Sequence, residues 1–353
     1  MRRKSILALS LLIPFMTVAS LLAQQGSVGS QAKPTVASAQ GASMLASGDA
    51  MPKRVQATED WSELSLARSG LDISRMSVVQ VAKWDKGDAT EQLLRAQWRT
   101  NDPIDLYVVR PKGTEKVPAI LYLYDYTGDT DRFRNDSWCR RMTQGGFAAV
   151  GFVSAVSGDR VRAPRPMKAW FVSELQEGLG TTAHDVQMIL NYLAERGDID
   201  MSRIGMFGQG SGASIAVLAA SVDPRITTLD LLDLWGDWPD WLKESPIVPQ
   251  EERAGYLTSE FLKKVAKLDP ALYLPQLESR KVRIEYILDD QNMPASARET
   301  LLNAAPKDSD VLRYQDESEH INEWHVSGLS GWIKSKLKPD WIEPSIDQPP
   351  TGQ

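Results

Sequence analysis

The chain has 353 residues, 42% of them hydrophobic and 24% charged, with a formal net charge of −6. That balance describes a globular protein with room for one large domain or two small ones, and it offers no electrostatic handle to nucleic acid or to an anionic membrane surface. The single cysteine, Cys139, excludes an intramolecular disulfide, so the fold must rest on its core.

In chain order, Arg2, Arg3 and Lys4 precede an apolar run from Ile6 to about Thr17, and Val18, Ala19 and Ser20 supply small residues for cleavage. The pattern predicts a secretory signal peptide over residues 1–23 and export to the periplasm or the exterior. An uncleaved membrane anchor is the alternative, since the apolar run extends to Ala23. Residues 24–57 are rich in Ser, Ala, Gln and Gly and predict a flexible linker, because they carry too little apolar surface to offset the entropy of ordering them.

The domain is expected over 58–340. VVQVAKW and IDLYVVRP read as antiparallel strands, and VPAILYLYDY and GFAAVGFVSA as buried strands. Cys139, in NDSWCRRM, reads as a small buried hydrophobe on a helix. TTAHDVQMILNYLAERG predicts a helix with Val186, Ile189, Leu190 and Leu193 on its core face, Thr182 and Asp185 as a capping box and Gly197 as the stop. His184 is expected on its exposed side. Then follow RIGMFG (strand), SGASIAVLAAS (helix), ITTLDLLDLW (strand), a charged and proline-bearing stretch at about 236–275 that predicts a small helical cap, KVRIEYILDD (strand) and VLRYQDE (strand). NEWHVSGLSGWIKSKL closes the pattern as a helix containing His325, and 341–353 form a Pro-rich tail. Strands alternating with helices predict an α/β fold: a mostly parallel central sheet with helices on both faces.

One stretch carries chemistry. GDIDMSRIGMFGQGSGAS resembles the helix, loop, strand and nucleophile elbow of the α/β-hydrolase superfamily, on its dienelactone hydrolase, acetyl esterase and prolyl-oligopeptidase side. The resemblance spans roughly Ile104 to Leu337 and implies the α/β-hydrolase fold. In the G-x-S-x-G pattern, Gly208 and Gly212 are the flanking glycines, and the nucleophile's slot holds Gly210, which has no side chain to acylate. Moving the frame by one to make Ser211 the nucleophile would put Gln209 in a crowded flanking place. In the usual frame Ser211 opens the helix, caps it with its hydroxyl turned from the pocket, and offers a backbone N–H to an oxyanion.

The resemblance also assigns an acid and a base. Asp290 lies four residues before Pro294, as in the D-x-x-x-P acid loop, although Ile287 stands where a glycine is usual, and Asp289 is the neighbouring alternative. His320 follows the last strand, where the superfamily keeps its histidine; it either pairs with Asp290 or is structural. The His-Gly expected after the third buried-sheet position is replaced by Tyr124-Asp125-Tyr126-Thr127-Gly128.

Three further signals stand in the sequence. WGDWPDW, with Trp235, Trp238 and Trp241, reads either as a stacking platform for a sugar or aromatic ligand, with Tyr126 near it, or as the cap's anchor; Pro239 and the aspartates suggest a turn exposing at least one ring. Gly208, Gly210 and Ala213, with Asp230 twenty residues beyond Gly210, formally match a dinucleotide-binding fingerprint, against which stand the strands preceding it and the expected export. Asp125, Asp129, Asp131 and Asp136 cluster without calcium-loop spacing. No cofactor and no metal is implied. The expectation is a catalytically degenerate exported protein that binds a small molecule, a carbohydrate, an ester or a partner in the former pocket; the alternative is an active esterase or peptidase using Ser211, His320 and Asp290.

Overall fold

The computed structural model describes residues 58–342, apart from 72–74, 114, 127, 129, 156, 158–159, 161–170 and 328–329. The expected signal peptide and linker, the tail beyond Ile342, Asp129 and the side chain of His325 lie outside the described residues. Among these residues no helix is long and apolar enough to cross a membrane.

Nine described strands build one sheet: β1 (Ser77–Asp85), β2 (Ala89–Arg99), β3 (Asp102–Pro111), β4 (Val117–Leu123), β5 (Ala148–Phe152), β6 (Ile199–Gln209), β7 (Ile226–Leu232), β8 (Lys281–Ile287) and β9 (Asp310–Tyr314), in the order β1-β2-β3-β5-β4-β6-β7-β8-β9. β1, β2, β3 and β5 pair antiparallel, and all neighbours from β5 to β9 are parallel. The mostly parallel sheet is the one expected. β2 is an addition, since ATEQLLRAQWR mixes polar and apolar residues too evenly to announce a strand.

The period-two pattern of β4 shows why helices cover both faces. Ala119, Leu121 and Leu123 enter one buried cluster, Ile120 and Tyr122 the other. Over the first face lie α2 (Leu175–Arg196) and α3 (Ser211–Val222); over the second lie α1 (Asp136–Thr143) and, near the C-terminus, α8 (Glu317–Ser327) and α9 (Gly331–Leu337). The stretch read as one closing helix is thus two. Between β7 and β8 the short helices α4 (Trp238–Glu244), α5 (Arg253–Tyr256) and α6 (Ser259–Val265) are followed by single 3-10 turns, and α7 (Ala295–Ala304) follows β8.

Two expectations about α2 are corrected. The helix begins at Leu175, so Thr182 and Asp185 sit in its interior rather than capping it: Thr182 Oγ1 donates to Gly178 O, and Asp185 pairs with Arg99 and Arg160. His184 is fully buried rather than exposed. Residues 59–69 strap the outer side of α2, where His184 Nδ1 meets Glu59 (2.6 Å), His184 Nε2 meets Glu63 O (2.6 Å) and Gln187 bonds Leu64 O and Leu66 N–H. Burial raises the Glu59 carboxyl, but His184 and Arg99 outweigh it and hold it at about 2. A sequence scan cannot see the strap, because it comes from a non-periodic segment more than 100 residues away. The core face of Val186, Ile189, Leu190 and Leu193 and the left-handed Gly197 stop (φ 76°) agree with the reading above.

Candidate functional site

The strand order reverses between β5 and β6, on either side of β4, and in open α/β sheets ligands bind off the carboxyl ends of strands at such a point. Two short segments meet there, the turn after β4 and the elbow from β6 into α3. At the elbow Gly210 has φ 55° and ψ −117°, a sharp bend at positive φ that L side chains enter only under strain. Its N–H bonds Leu232 O at the end of β7 (3.0 Å). The flanking glycines are dictated by close backbone packing: a Cβ on Gly208 would fall 2.5 Å from Ala213 Cα, and one on Gly212 would run into the carbonyl of Leu123. Gly210 therefore occupies the apex of the bend, the nucleophile's place in the superfamily's pattern.

A side chain at the apex would meet tryptophan. A Cβ on Gly210 would lie 3.1 Å from Cε2 and Cζ2 of Trp235 and 3.5 Å from the Asp125 carboxyl carbon. Trp235 is held by Ser214, whose Oγ donates to its carbonyl (2.7 Å), and by rings on two sides, Phe171 at 5.5 Å and Trp241 at 5.1 Å between centroids. Trp238 closes on Trp241 edge-on (5.7 Å) and donates its indole N–H to Leu268 O. All three tryptophans are at most 1% exposed. The reading in which one of them forms an exposed platform is corrected: the Asp269 carboxylate takes the backbone N–H groups of Asp237 and Trp238, turning the WGDWPDW segment inward, so the rings anchor the cap region. Tyr126 is the half-buried member of the cluster, stacked on Phe171 at 5.2 Å and 11°.

Ser211 opens α3, but its hydroxyl caps nothing in the helix. It accepts the Tyr126 N–H (3.0 Å) and donates to Asp125 Oδ1 (3.3 Å), while the same N–H also reaches Asp125 Oδ1 at 2.7 Å. The capping role expected for Ser211 is corrected, because the turn after β4 lies close enough to capture the hydroxyl. The N–H in that turn is thereby satisfied internally, and a carboxylate stands beside the apex where hydrolases place donors for a developing oxyanion.

The proposed acid and base are not joined. Asp290 Oδ1 accepts the Asn292 N–H (2.8 Å) in its own loop, and burial raises its pKa. His320 lies in the first turn of α8 with its ring 4.9 Å from that of Tyr314, and no hydrogen bond or ion pair links it to Asp290. Burial, and then the charge of Arg283, lower the pKa of His320. Asp289 is exposed. Asp230, the acidic residue of the dinucleotide fingerprint, is fully buried within the sheet and paired with Arg283 (2.6 and 2.7 Å), where no ribose can reach it, so that reading is also set aside. Of the clustered aspartates, Asp125 faces Ser211 and Asp136 pairs with Lys86.

Asp233, which no motif in the sequence marks, leaves β7 at φ 47°. Its Oδ1 accepts the Ile287 N–H (2.9 Å), and burial, reinforced by Asp290, lifts its pKa to about 7. Between about pH 4 and 7 the folded chain therefore holds a proton that the unfolded chain has released, and stability falls as pH rises through that window. Asp233→Asn keeps the acceptor and tolerates positive φ. Urea denaturation across pH 4–8 is expected to show the slope of stability with pH reduced by about 1.4 kcal/mol per pH unit inside the window. An unchanged slope would mean that Asp233 ionises normally.

Residues 104–229 match the dienelactone hydrolase family. No curated protein sequence matches the chain significantly. Among solved structures, acetyl xylan esterase from Paenibacillus sp. R4 superposes with a TM-score of 0.54 at 18% identity, over 74% of this chain and 88% of that one. Acetyl xylan esterase 1 from Thermoanaerobacterium sp. JW/SL YS485 gives 0.56 at 15% identity over 75% and 92%, and Pyrococcus horikoshii acylaminoacyl peptidase gives 0.52 at 13% identity over 75% and 50%. The strand order, the elbow between β6 and α3 and these likenesses together identify the chain as a protein of the α/β-hydrolase fold, whose residues 104–229 are similar to the dienelactone hydrolase family.

Proposed function

We propose that the chain is a non-hydrolytic α/β-hydrolase-fold protein that works by binding rather than by acyl transfer. The observation that carries this reading is the Trp235 ring 3.1 Å from the point where a side chain on Gly210 would begin. Three arrangements around it support the reading. Ser211 spends its hydroxyl on the turn after β4, Asp125 puts a carboxylate beside the apex, and His320 has no hydrogen bond to an acid among the described residues. An acyl transfer needs a nucleophile within reach of a base and donors aimed at the new oxyanion. Negative charge already at that place opposes its formation.

The test is labelling of the purified protein with a fluorophosphonate, alongside hydrolysis of a short-chain p-nitrophenyl ester. No stoichiometric adduct is expected, and turnover equals the background of buffer and of the Ser211→Ala variant. A one-to-one adduct on Ser211, or turnover that Ser211→Ala abolishes, would establish the active-hydrolase alternative instead.

A further inference from the structure

A cavity of about 410 Å³ opens on the face of the sheet opposite α2 and α3, between the 3-10 turn Asp131–Arg134, helix α1 and helix α8. Arg132, Arg141, Trp138 and Trp324 form its walls, with Asp131 and Asn135 at the exposed rim. Asn135 is already committed to capping α1, its Oδ1 accepting from Trp138 N–H and Ser137 Oγ. Beyond the rings of Tyr124 and Trp324 and the Tyr124 hydroxyl beside Arg132, neither guanidinium has an ion-pair or hydrogen-bond partner among the described residues. The Arg132 Cζ lies 4.2 Å from the ring centre of Tyr124 and the Arg141 Cζ lies 5.7 Å from that of Trp324. Two like charges share one cleft, and Asp131 at the rim is the one carboxylate among its described lining residues.

The floor adds an independent sign. Trp138 is 7% exposed and Tyr124 5%; the two polar groups lie beside each other, yet neither Trp138 Nε1 nor Tyr124 Oη makes a well-formed hydrogen bond among the described residues. Buried donors of this kind are rarely left unpaired, and Trp138 lines the cavity itself. Phe133 (4.7 Å) and Tyr122 (5.2 Å) hold its ring edge-on and fix its orientation. Burial pushes the Tyr124 phenol up to about 12, with Arg132 and Trp138 beside it pulling the other way, so at neutral pH it is a hydroxyl able to donate.

The geometry points to a binding site for a planar aromatic carboxylate, its ring against the indoles of Trp138 and Trp324 and its carboxylate on the guanidinium groups of Arg132 and Arg141. A guanidinium fork matches a carboxylate in shape as well as charge, indole faces suit an aromatic ring, and the unpaired Trp138 N–H would take an acceptor on the guest. A small inorganic anion could use the arginines but would leave the indole walls unfilled. The site is separate from the elbow, which Trp235 occupies. The inference rests on the reading of the chain as a binding protein and says where and what it binds.

Calorimetric titration of the full chain with trans-cinnamate, with its neutral amide cinnamamide and with inorganic phosphate tests it. Cinnamate is expected to bind, and Arg132→Ala and Arg141→Ala each to weaken it about tenfold or more, the loss from one charge-assisted contact. Cinnamamide and phosphate should each bind at least about tenfold more weakly than cinnamate, one lacking the charge and the other the ring. Both arginines are partly exposed, so folded variants are expected, and far-UV circular dichroism checks this. Arg132→Lys keeps the charge but loses the fork, and should fall between wild type and alanine. Cinnamate binding indifferent to both arginines, phosphate binding as tight as cinnamate, or no heat with cinnamate would overturn the assignment. Failure here with no labelling of Ser211 would remove the site and leave the non-hydrolytic reading intact. Labelling of Ser211 would remove that reading, and the arginine dependence would still judge the site.

Discussion

Replacing Arg283 with methionine is expected to destabilise the protein by about 3–5 kcal/mol at pH 8, and by clearly less at pH 5. Arg283 is 7% exposed on β8 and holds two carboxylates, Asp230 on β7 (2.6 and 2.7 Å) and Glu285 two residues along its own strand (3.0 Å). Both acids are nearly or wholly buried, and burial already raises the pKa of Asp230 against the pull of Arg283. Without the guanidinium the two would face each other across adjacent strands with no cation. At alkaline pH the variant must bury charge or bind protons that the unfolded chain does not hold. At pH 5 those protons are cheap, and the penalty shrinks. Urea denaturation of both proteins at the two pH values measures this. Adding Asp230→Asn and Glu285→Gln to the variant should restore most of the loss, since a neutral set leaves no uncompensated charge. A pH-independent loss would mean that only packing had been removed. The network also bears on the site, because Tyr314 donates to Glu285 (2.7 Å) and its ring carries that of His320. His320 thus takes its electrostatic surroundings from this network and not from Asp290.

The same strands show what the sequence could and could not reveal. The parallel core was legible because VPAILYL and AAVGF are apolar in every residue but proline and glycine, and the elbow because glycine spacing is dictated by backbone contact. Arg283, Glu285 and Asp230 are charges inside otherwise apolar strands, a visible signal that a buried ion network is present. The partner of each residue depends on strand register, which a linear reading does not supply. The strap over α2 and the inward turn of WGDWPDW failed for a related reason. Each is fixed by a few long-range hydrogen bonds, His184 and Gln187 to the strap and Asp269 to two backbone amides, and composition points to none of them. Residues were therefore assigned correctly to elements more often than to neighbours, and a catalytic site is made of neighbours.

Gly210→Ser restores the superfamily's elbow on paper, and it is expected to yield a protein less stable by about 2–5 kcal/mol with no ester turnover above background. The backbone at φ 55° strains any L residue, which accounts for about 1–3 kcal/mol. A new Cβ 3.1 Å from two atoms of Trp235 is inside the usual 3.5–4.0 Å carbon separation. The ring cannot swing aside, because Phe171, Trp241 and the Ser214 bond to its carbonyl hold it, so overpacking adds a similar amount. Trp235→Leu combined with Gly210→Ser is expected to be less harmful than the sum of the two changes, because the clash is shared and neighbouring substitutions couple. Thermal and urea unfolding of the four proteins gives the coupling. Activity should stay absent even in the double variant, since a serine placed there meets the Asp125 carboxylate, and among the described residues His320 has no acid bonded to orient it. Turnover in Gly210→Ser that disappears with His320→Ala would contradict this. It would mean that base and oxyanion side had remained competent, with a hydroxyl the one missing part.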